Sequence, residues 1–129
     1  MAAQMASRLE TFFEQRTDGA LRSIVKYDYE GVDVVYLRGD VADQYSEAEL
    51  LDAVDESRMQ SISAPLYERA FSENHGDLEC VVTCFEHVVE MNFTLEDGVG
   101  AAVALDVEAL DDGHGIVSEA RDIVVEERT

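Results

Sequence analysis

Two cysteines and a histidine fall close together in the chain, at Cys80, Cys84 and His87. Thiolate and imidazole are the common ligands of zinc, so this trio is the first candidate for chemistry. Structural zinc sites take their cysteines from a tight knuckle, whereas Cys80 and Cys84 lie in an alternating run that reads as strand. On an extended strand they stand roughly 13 Å apart, too far for a disulfide. Packing of both thiols in the core is the stronger reading. Glu86-His87 offers an acid and a base, but adjacent strand residues leave on opposite faces and cannot serve one substrate. The pair reads as a turn. Asp111-Asp112-Gly113-His114 is rich in oxygen and imidazole, yet lacks the alternating ligands and the terminal bidentate acid of a calcium loop. It reads as a solvated acidic helix face. Arg38-Gly39-Asp40 and Asn92-Phe93-Thr94 match an adhesion tripeptide and a glycosylation sequon. Both have meaning only outside the cell and are taken as chance. There is no glycine-rich phosphate loop, nucleophile elbow or paired-histidine helix motif. No catalytic, cofactor-binding or metal-ligating residue is assigned, and no cofactor is expected.

The charge says more than the motifs. The 129 residues carry 29 Asp and Glu against 9 Lys and Arg, a net charge of −20. Lys26 is the single lysine; the remaining basic residues are arginines. Such a surface repels phosphate backbones and anionic lipid, so neither nucleic acid nor membrane is an expected partner. The acids run from Glu10 to Glu127 without a long block, which coats a folded body rather than forming a tail. On a sphere of radius ~18 Å, this charge has a self-energy of ~14 kcal/mol at a Debye length of ~8 Å and ~7 at ~3 Å. The unfolded chain repels itself too, so the difference is an upper bound, but it rivals a typical domain stability of about 5–15 kcal/mol. Scarce lysine with retained arginine, together with only four Ile and ten Leu, points to a protein adapted to molar salt. The residues from Met1 to Gln15 contain no apolar signal core, and no uncharged stretch approaches the ~20 residues of a membrane span. Two cysteines without a framework suit a reducing compartment, so a cytoplasmic location is expected.

Several elements must position these residues. Met5, Leu9, Phe12 and Phe13 recur at helical spacing and Gly19 closes that helix. From Leu21 to Tyr29, alternation puts Leu21, Val25, Tyr27 and Tyr29 on one face and Arg22, Lys26 and Asp28 on the other. Glu30-Gly31 turns the chain into a second strand from Val32 to Arg38. Ser46 and Glu49 form a capping box opening into Leu50, Leu51 and Val54, with a helix to about Gln60. Pro65, Leu66, Ala70 and Phe71 suggest a short second helix ending before Gly76. Leu78, Cys80, Val82 and Cys84 alternate with Glu79, Val81, Thr83 and Phe85. Val89, Met91, Phe93 and Leu95 alternate with Glu90, Asn92, Thr94 and Glu96. Asp97-Gly98 is a tight-turn dipeptide, and Val99 to Asp106 forms the next strand. Its small residues, Gly100, Ala101, Ala102 and Ala104, call for a neighbour packed closely over it. Leu110, Val117, Ala120 and Val124 share a face, which favours a last helix from Asp106 over one that begins at Ile116 after Gly113-His114-Gly115.

The expected fold is α+β, a single domain over residues 1–129 in the order α-β-β-α-(α)-β-β-β-α, with helices packed on a five-stranded antiparallel sheet. This order resembles the roadblock/longin and profilin-like domains, a likeness of topology that carries no chemistry. Val35-Tyr36-Leu37-Arg38-Gly39-Asp40-Val41, Gly76-Asp77-Leu78 and Ala104-Leu105-Asp106 resemble a family of small acidic haloarchaeal proteins of uncharacterised function. The resemblance covers the chain from about Gly19 to Arg121, departs at Val107 where relatives tend to carry proline, and implies no catalytic residue.

The leading expectation is a non-enzymatic cytosolic module of a halophile that works through protein contact, as a homodimer and with other proteins as possible partners. Its physical motive is the open sheet edge: unpaired backbone groups on a charged edge can be covered by a second copy in molar salt. A small-metabolite sensor is the alternative, and predicts a pocket of several hundred Å³ lined by tyrosines. A small hydrolase is the third, and requires His75, His87 or His114 to converge with acids in a cleft.

Overall fold

The structure is a computed structural model and describes residues 2–46, 48–53, 55–56, 59, 74–76, 78–110 and 115–128. Helix α1 (Ala2–Thr17) leads into strands β1 (Leu21–Tyr27) and β2 (Val32–Leu37) and a short helix α2 (Gly39–Gln44). Residues 48–53 are helical, and β3 (Cys80–Cys84), β4 (Val88–Glu96) and β5 (Val99–Asp106) follow. A 3-10 turn (Val107–Leu110) and helix α3 (Ile116–Arg128) complete the order. The strands form one sheet in the order β2-β1-β5-β4-β3, each pair antiparallel. The expected α+β class and five-stranded antiparallel sheet are both present. Among the described residues no helix is long and apolar enough to cross a membrane.

Local chemistry explains the turns. At the end of α1, Asp18 (φ 46) and Gly19 (φ 88) both take left-handed backbone, which halts a right-handed helix. Between β1 and β2, the Asp28 carboxylate accepts the amides of Glu30 (2.8 Å) and Gly31 (3.1 Å), an Asx turn. Asp97-Gly98 joins β4 to β5 as expected, with Gly98 at φ 80 and Glu96 paired to Val99. The capping box also forms: the Glu49 amide donates to Ser46 Oγ (3.1 Å) and the Ser46 amide to Glu49 Oε1 (3.2 Å).

The core lies between one sheet face and helices α1 and α3. Met5, Leu9 and Phe13, one turn apart on α1, are fully buried with Ile116, Ala120 and Val124 of α3. Val89, Met91, Phe93 and Leu95 of β4 and Val99, Ala101, Val103 and Leu105 of β5 face them, following the expected alternation. Arg8 bridges to Glu126 (2.6 Å) and Glu127 (3.2 Å), and Arg16 to Glu119 (3.0 Å), pinning the two helices side by side. At the far end the Arg128 guanidinium donates to the carbonyls of Leu78 and Thr94, tying α3 to the β3–β4 side.

Four expectations need correction. Leu21 does not share a face with Val25 and Tyr27: it enters the main core with Ile24, while Val25 and Tyr27 form a small cluster on the opposite face. The β1–β5 register shifts between Leu21 and Ser23, so an extra residue reverses the alternation there. Tyr29, expected on that first strand, lies in the turn and is exposed. Helix α2, which the sequence reading leaves out, follows β2 directly and buries Val41. The last helix begins at Ile116, not Asp106, because Gly115 has φ 90, outside the helical region, and Val107–Leu110 wind as a separate 3-10 turn. The helix expected around Pro65, Leu66, Ala70 and Phe71, like Val54, Gln60 and Asp77, lies outside the described residues.

Candidate functional site

The residues first considered for chemistry do not assemble into a site. Cys80 is half-buried against the core, and burial pushes its thiol up to about 12, far from a reactive thiolate. Cys84 is exposed, so the expectation of core packing fails for it: β3 is an outermost strand with nothing over its far end among the described residues. Glu86 and His87 form the turn between β3 and β4, closed by the Phe85 amide on the Val88 carbonyl (2.7 Å). Their side chains come within 3.9 Å, but both are more than four-fifths exposed, which gives an acid/base pair no dehydrated cleft. His75 is exposed as well, and Asp111, Asp112 and His114 lie outside the described residues. Among the described residues no three His, Cys, Asp or Glu could hold a metal ion. Asn92 of the sequon is buried in β4, where its Oδ1 accepts the Tyr27 hydroxyl (2.5 Å).

A polar constellation does form where the sequence reading assigns no role. The Arg38 guanidinium lies between two carboxylates at one end of the sheet. It meets Asp40 through Nε–Oδ1 (2.6 Å) and Nη2–Oδ2 (3.0 Å), and Asp106 through Nη1–Oδ2 (2.7 Å) and Nη2–Oδ1 (3.1 Å). Arg38 also donates to the Gly19 carbonyl (2.9 Å), and Arg22 adds a bond to Asp106 (3.1 Å) and one to Gln44 (3.3 Å). The hydrogen bond from Arg38 holds Asp40 below the usual carboxylate value; for Asp106 Arg38 acts first and Arg22 adds to it. With all these partners satisfied, the cluster is a clasp joining α1, β1, α2 and β5. Arg38, Asp40 and Asp106 belong to the short motifs that mark the resemblance noted above, and their convergence gives those motifs a structural reason.

Two surfaces remain for function. The first is the outer edge of β3. Residues Glu79 and Phe85 bond inward to β4, through the Thr94 amide and the Val88 carbonyl. Strand alternation then turns the backbone groups of Cys80, Val82 and Cys84 outward. No charge occurs from Cys80 to Phe85, and Val82 and Phe85 are exposed. At the other edge, β2 carries Asp33, which bridges to Lys26 (3.1 Å).

The second is a groove of about 780 Å³ on the sheet face away from α1 and α3, between the sheet and helical residues 48–53. Val25, Ala102 and Ala104 line it from the sheet, and Val41, Leu50 and Ala53 from the chain above. Glu49, Asp52, Glu86 and Glu90 supply its acids. A smaller cavity of about 350 Å³ continues toward Val81 and Thr83 of β3, sharing Ala53, Phe85, Glu90 and Ala102 with the first. Of the tyrosines only Tyr45 lines this space among the described residues; Tyr27 is buried and Tyr29 is turned to solvent. The groove has the size expected of a metabolite sensor's pocket, with one tyrosine in its lining among the described residues. Glu90 keeps contact with water, yet burial and then the charge of Glu56 raise its carboxyl above the usual value.

A family model described as a domain of unknown function, DUF7522, matches residues 7–125. The chain belongs to this family. The match begins within α1 and ends within α3, so the DUF7522 unit includes the whole sheet, the Arg38 clasp and both surfaces. No curated protein matches the sequence. Among solved structures, this DUF7522 chain is similar to a Roadblock/LC7 domain from Streptomyces avermitilis, with 21% identity over 98% of this chain and 97% of that one and a TM-score of 0.46. It is also similar to MglC from Myxococcus xanthus, with 16% identity over 92% and 98% and a TM-score of 0.40.

Proposed function

We propose that this DUF7522 protein is a non-enzymatic interaction module of a salt-rich cytosol, one domain over its whole length, that pairs with a second copy through the outer edge of β3. The observation that carries the reading is an uncharged, partly apolar edge on a chain of net charge −20. Open edges invite strand pairing, and charges placed along them prevent it. On a protein so rich in carboxylates, six successive uncharged residues at an edge are where two like-charged copies repel each other least.

The salt-rich setting has support in the placement of the cations. Six of the seven described basic residues are ion-paired within the chain, and Arg128 donates to backbone carbonyls. Asp52, Glu14, Glu30 and Glu108 have no salt bridge among the described residues, so the outward charge is left to dissolved cations.

Light scattering in about 3 M KCl tests the proposal. Wild type should show a dimer mass that falls on dilution. Val82→Pro removes an outward amide while sparing the bonds to β4, and should be monomeric, with a melting temperature that no longer depends on protein concentration. A wild-type monomer at every concentration, or an undisturbed Val82→Pro dimer, overturns the reading.

A further inference from the structure

We propose that the groove between the sheet and helical residues 48–53 docks a basic, amphipathic helical segment of a partner protein. This rests on the reading of the protein as an interaction module, though not on the β3 dimer.

Length, chemistry and charge argue together for this occupant. The two continuous cavities run from β1 across β5 and β4 to β3. Three strand spacings make about 14 Å, the length of about ten helical residues. A trough of that length suits an elongated segment better than a compact metabolite. Val25, Ala102 and Ala104 give it an apolar floor of short side chains on β1 and β5, with Glu90 of β4 at its far side. An apolar stripe on the guest would be covered there, as in other helix-in-groove contacts.

Charge sets the sign of the guest's polar face. Asp52, Glu56, Glu86 and Glu90 stand along the two cavities, and none is salt-bridged to Lys or Arg among the described residues. Arg22, the Lys or Arg of the lining among the described residues, donates to Asp106 and Gln44. Glu90 lies where the cavities meet, partly withdrawn from water and facing the like charge of Glu56. An incoming lysine or arginine would relieve that repulsion, whereas a second copy of this acidic chain would add to it. Acids elsewhere on the surface also attract cations, so the apolar floor is what distinguishes the groove.

Labelled helical peptides of about fourteen residues test this in about 1 M KCl, read by fluorescence anisotropy. The first probe carries a leucine stripe and a lysine face; the second has the same lysines with serine for leucine; the third has glutamate for lysine. The Leu/Lys probe should bind wild type one to one, at least roughly tenfold more tightly than either other probe. Ala53→Arg places a cation on the exposed helix above the groove and should weaken it about tenfold; Glu90→Gln should weaken it several-fold. Glu14→Gln on α1 should change nothing. Equal affinity for the Lys/Ser probe, or equal losses in Glu14→Gln and Glu90→Gln, would reduce the effect to general charge and overturn the proposal. Affinity that falls as protein concentration rises would mean that a second copy fills the groove, and would overturn it as well. The two readings fail separately: a wild type that is monomeric yet binds the Leu/Lys probe sinks the edge dimer alone, and a wild-type dimer that ignores the probe sinks the groove alone.

Discussion

Arg38 grips Asp106 with two hydrogen bonds, Nη1–Oδ2 at 2.7 Å and Nη2–Oδ1 at 3.1 Å, across 68 positions of sequence. The side chains are 23% and 28% exposed, so water screens the pair less than it screens the more exposed Arg8–Glu126 and Arg16–Glu119 pairs. Asp106 also accepts from Arg22, and Arg38 continues to Asp40 and Gly19. Asp106→Ala therefore strands donors on both arginines and should cost about 2 kcal/mol in urea unfolding at high salt. Arg38→Lys should cost about as much, since an ammonium cannot span two carboxylates as a planar fork does. A double-mutant cycle should return a coupling of about 1 kcal/mol or more; additive losses would deny the clasp its role.

How far the sequence discloses all this depends on the range of each interaction. Strand β4 is legible residue by residue, because Val89, Met91, Phe93 and Leu95 alternate without interruption and all face one core. In β1 the same reasoning fails: the shift between Leu21 and Ser23 is a relation between two strands, invisible in either alone. The helix from Ile116 is foreshadowed by Gly115, while the shared face of Leu110 and Val117 argues for a longer one; backbone conformation outweighs periodicity. The clasp is legible only as separate motifs. Arg38-Gly39-Asp40 reads as a chance tripeptide until β5 brings Asp106 beside it, and no local pattern encodes that meeting. For the groove, net charge and the small residues of β5 are signals in the sequence, but their juxtaposition with Glu49 and Asp52 depends on where the chain after α2 returns over the sheet.

The clasp also gives a pH dependence with a definite sign. Arg38 holds Asp106 below the ordinary carboxylate value of 3.8. Between that lowered value and 3.8 the unfolded chain binds the proton more readily, so stability rises with pH there. The contribution is complete above 3.8 and disappears as pH falls through the lowered folded value. Repulsion among the other carboxylates changes over the same range, so the readout is the difference between wild type and Asp106→Asn. Their melting temperatures should stand apart at pH 6 and converge toward about pH 2. A gap that stays constant through the acid range would mean that the carboxylate's charge contributes nothing.

Gly100 shows why β5 is built from small residues. A Cβ there would lie 2.2 Å from the Phe93 carbonyl oxygen and 2.7 Å from the Tyr27 hydroxyl. Tyr27 is fully buried and bonded to Asn92, so it cannot swing aside without breaking that buried hydrogen bond. Gly100→Ala should destabilise by about 2–3 kcal/mol, among the larger costs of overpacking. Adding Tyr27→Phe should restore only part of this loss, because the carbonyl contact remains. Unfolding of the single and double variants under one salt condition provides the check. A neutral Gly100→Ala would show that β4 and β5 approach less closely than 2.2 Å implies.

Salt dependence decides whether the acidic coat is an adaptation or an accident of composition. The net charge of −20 spreads over 7526 Å² of accessible surface, about one charge per 380 Å², and the described cations are already engaged within the fold. Raising KCl from about 0.15 M to about 3 M shortens the screening length several-fold and should relieve several kcal/mol of self-repulsion. The melting temperature should climb steeply over that range. Salting-out also strengthens apolar burial, so the rise alone does not separate screening from a solvent effect on the core. Removing charge does. Glu14→Gln, Glu30→Gln and Glu108→Gln together delete three carboxylates that have no salt bridge among the described residues, and leave the core untouched. If repulsion sets the salt requirement, this variant should melt higher than wild type at low salt, and the two should converge in concentrated KCl. If salt acts only through the core, the two curves should remain parallel, and the coat would have no part in the requirement.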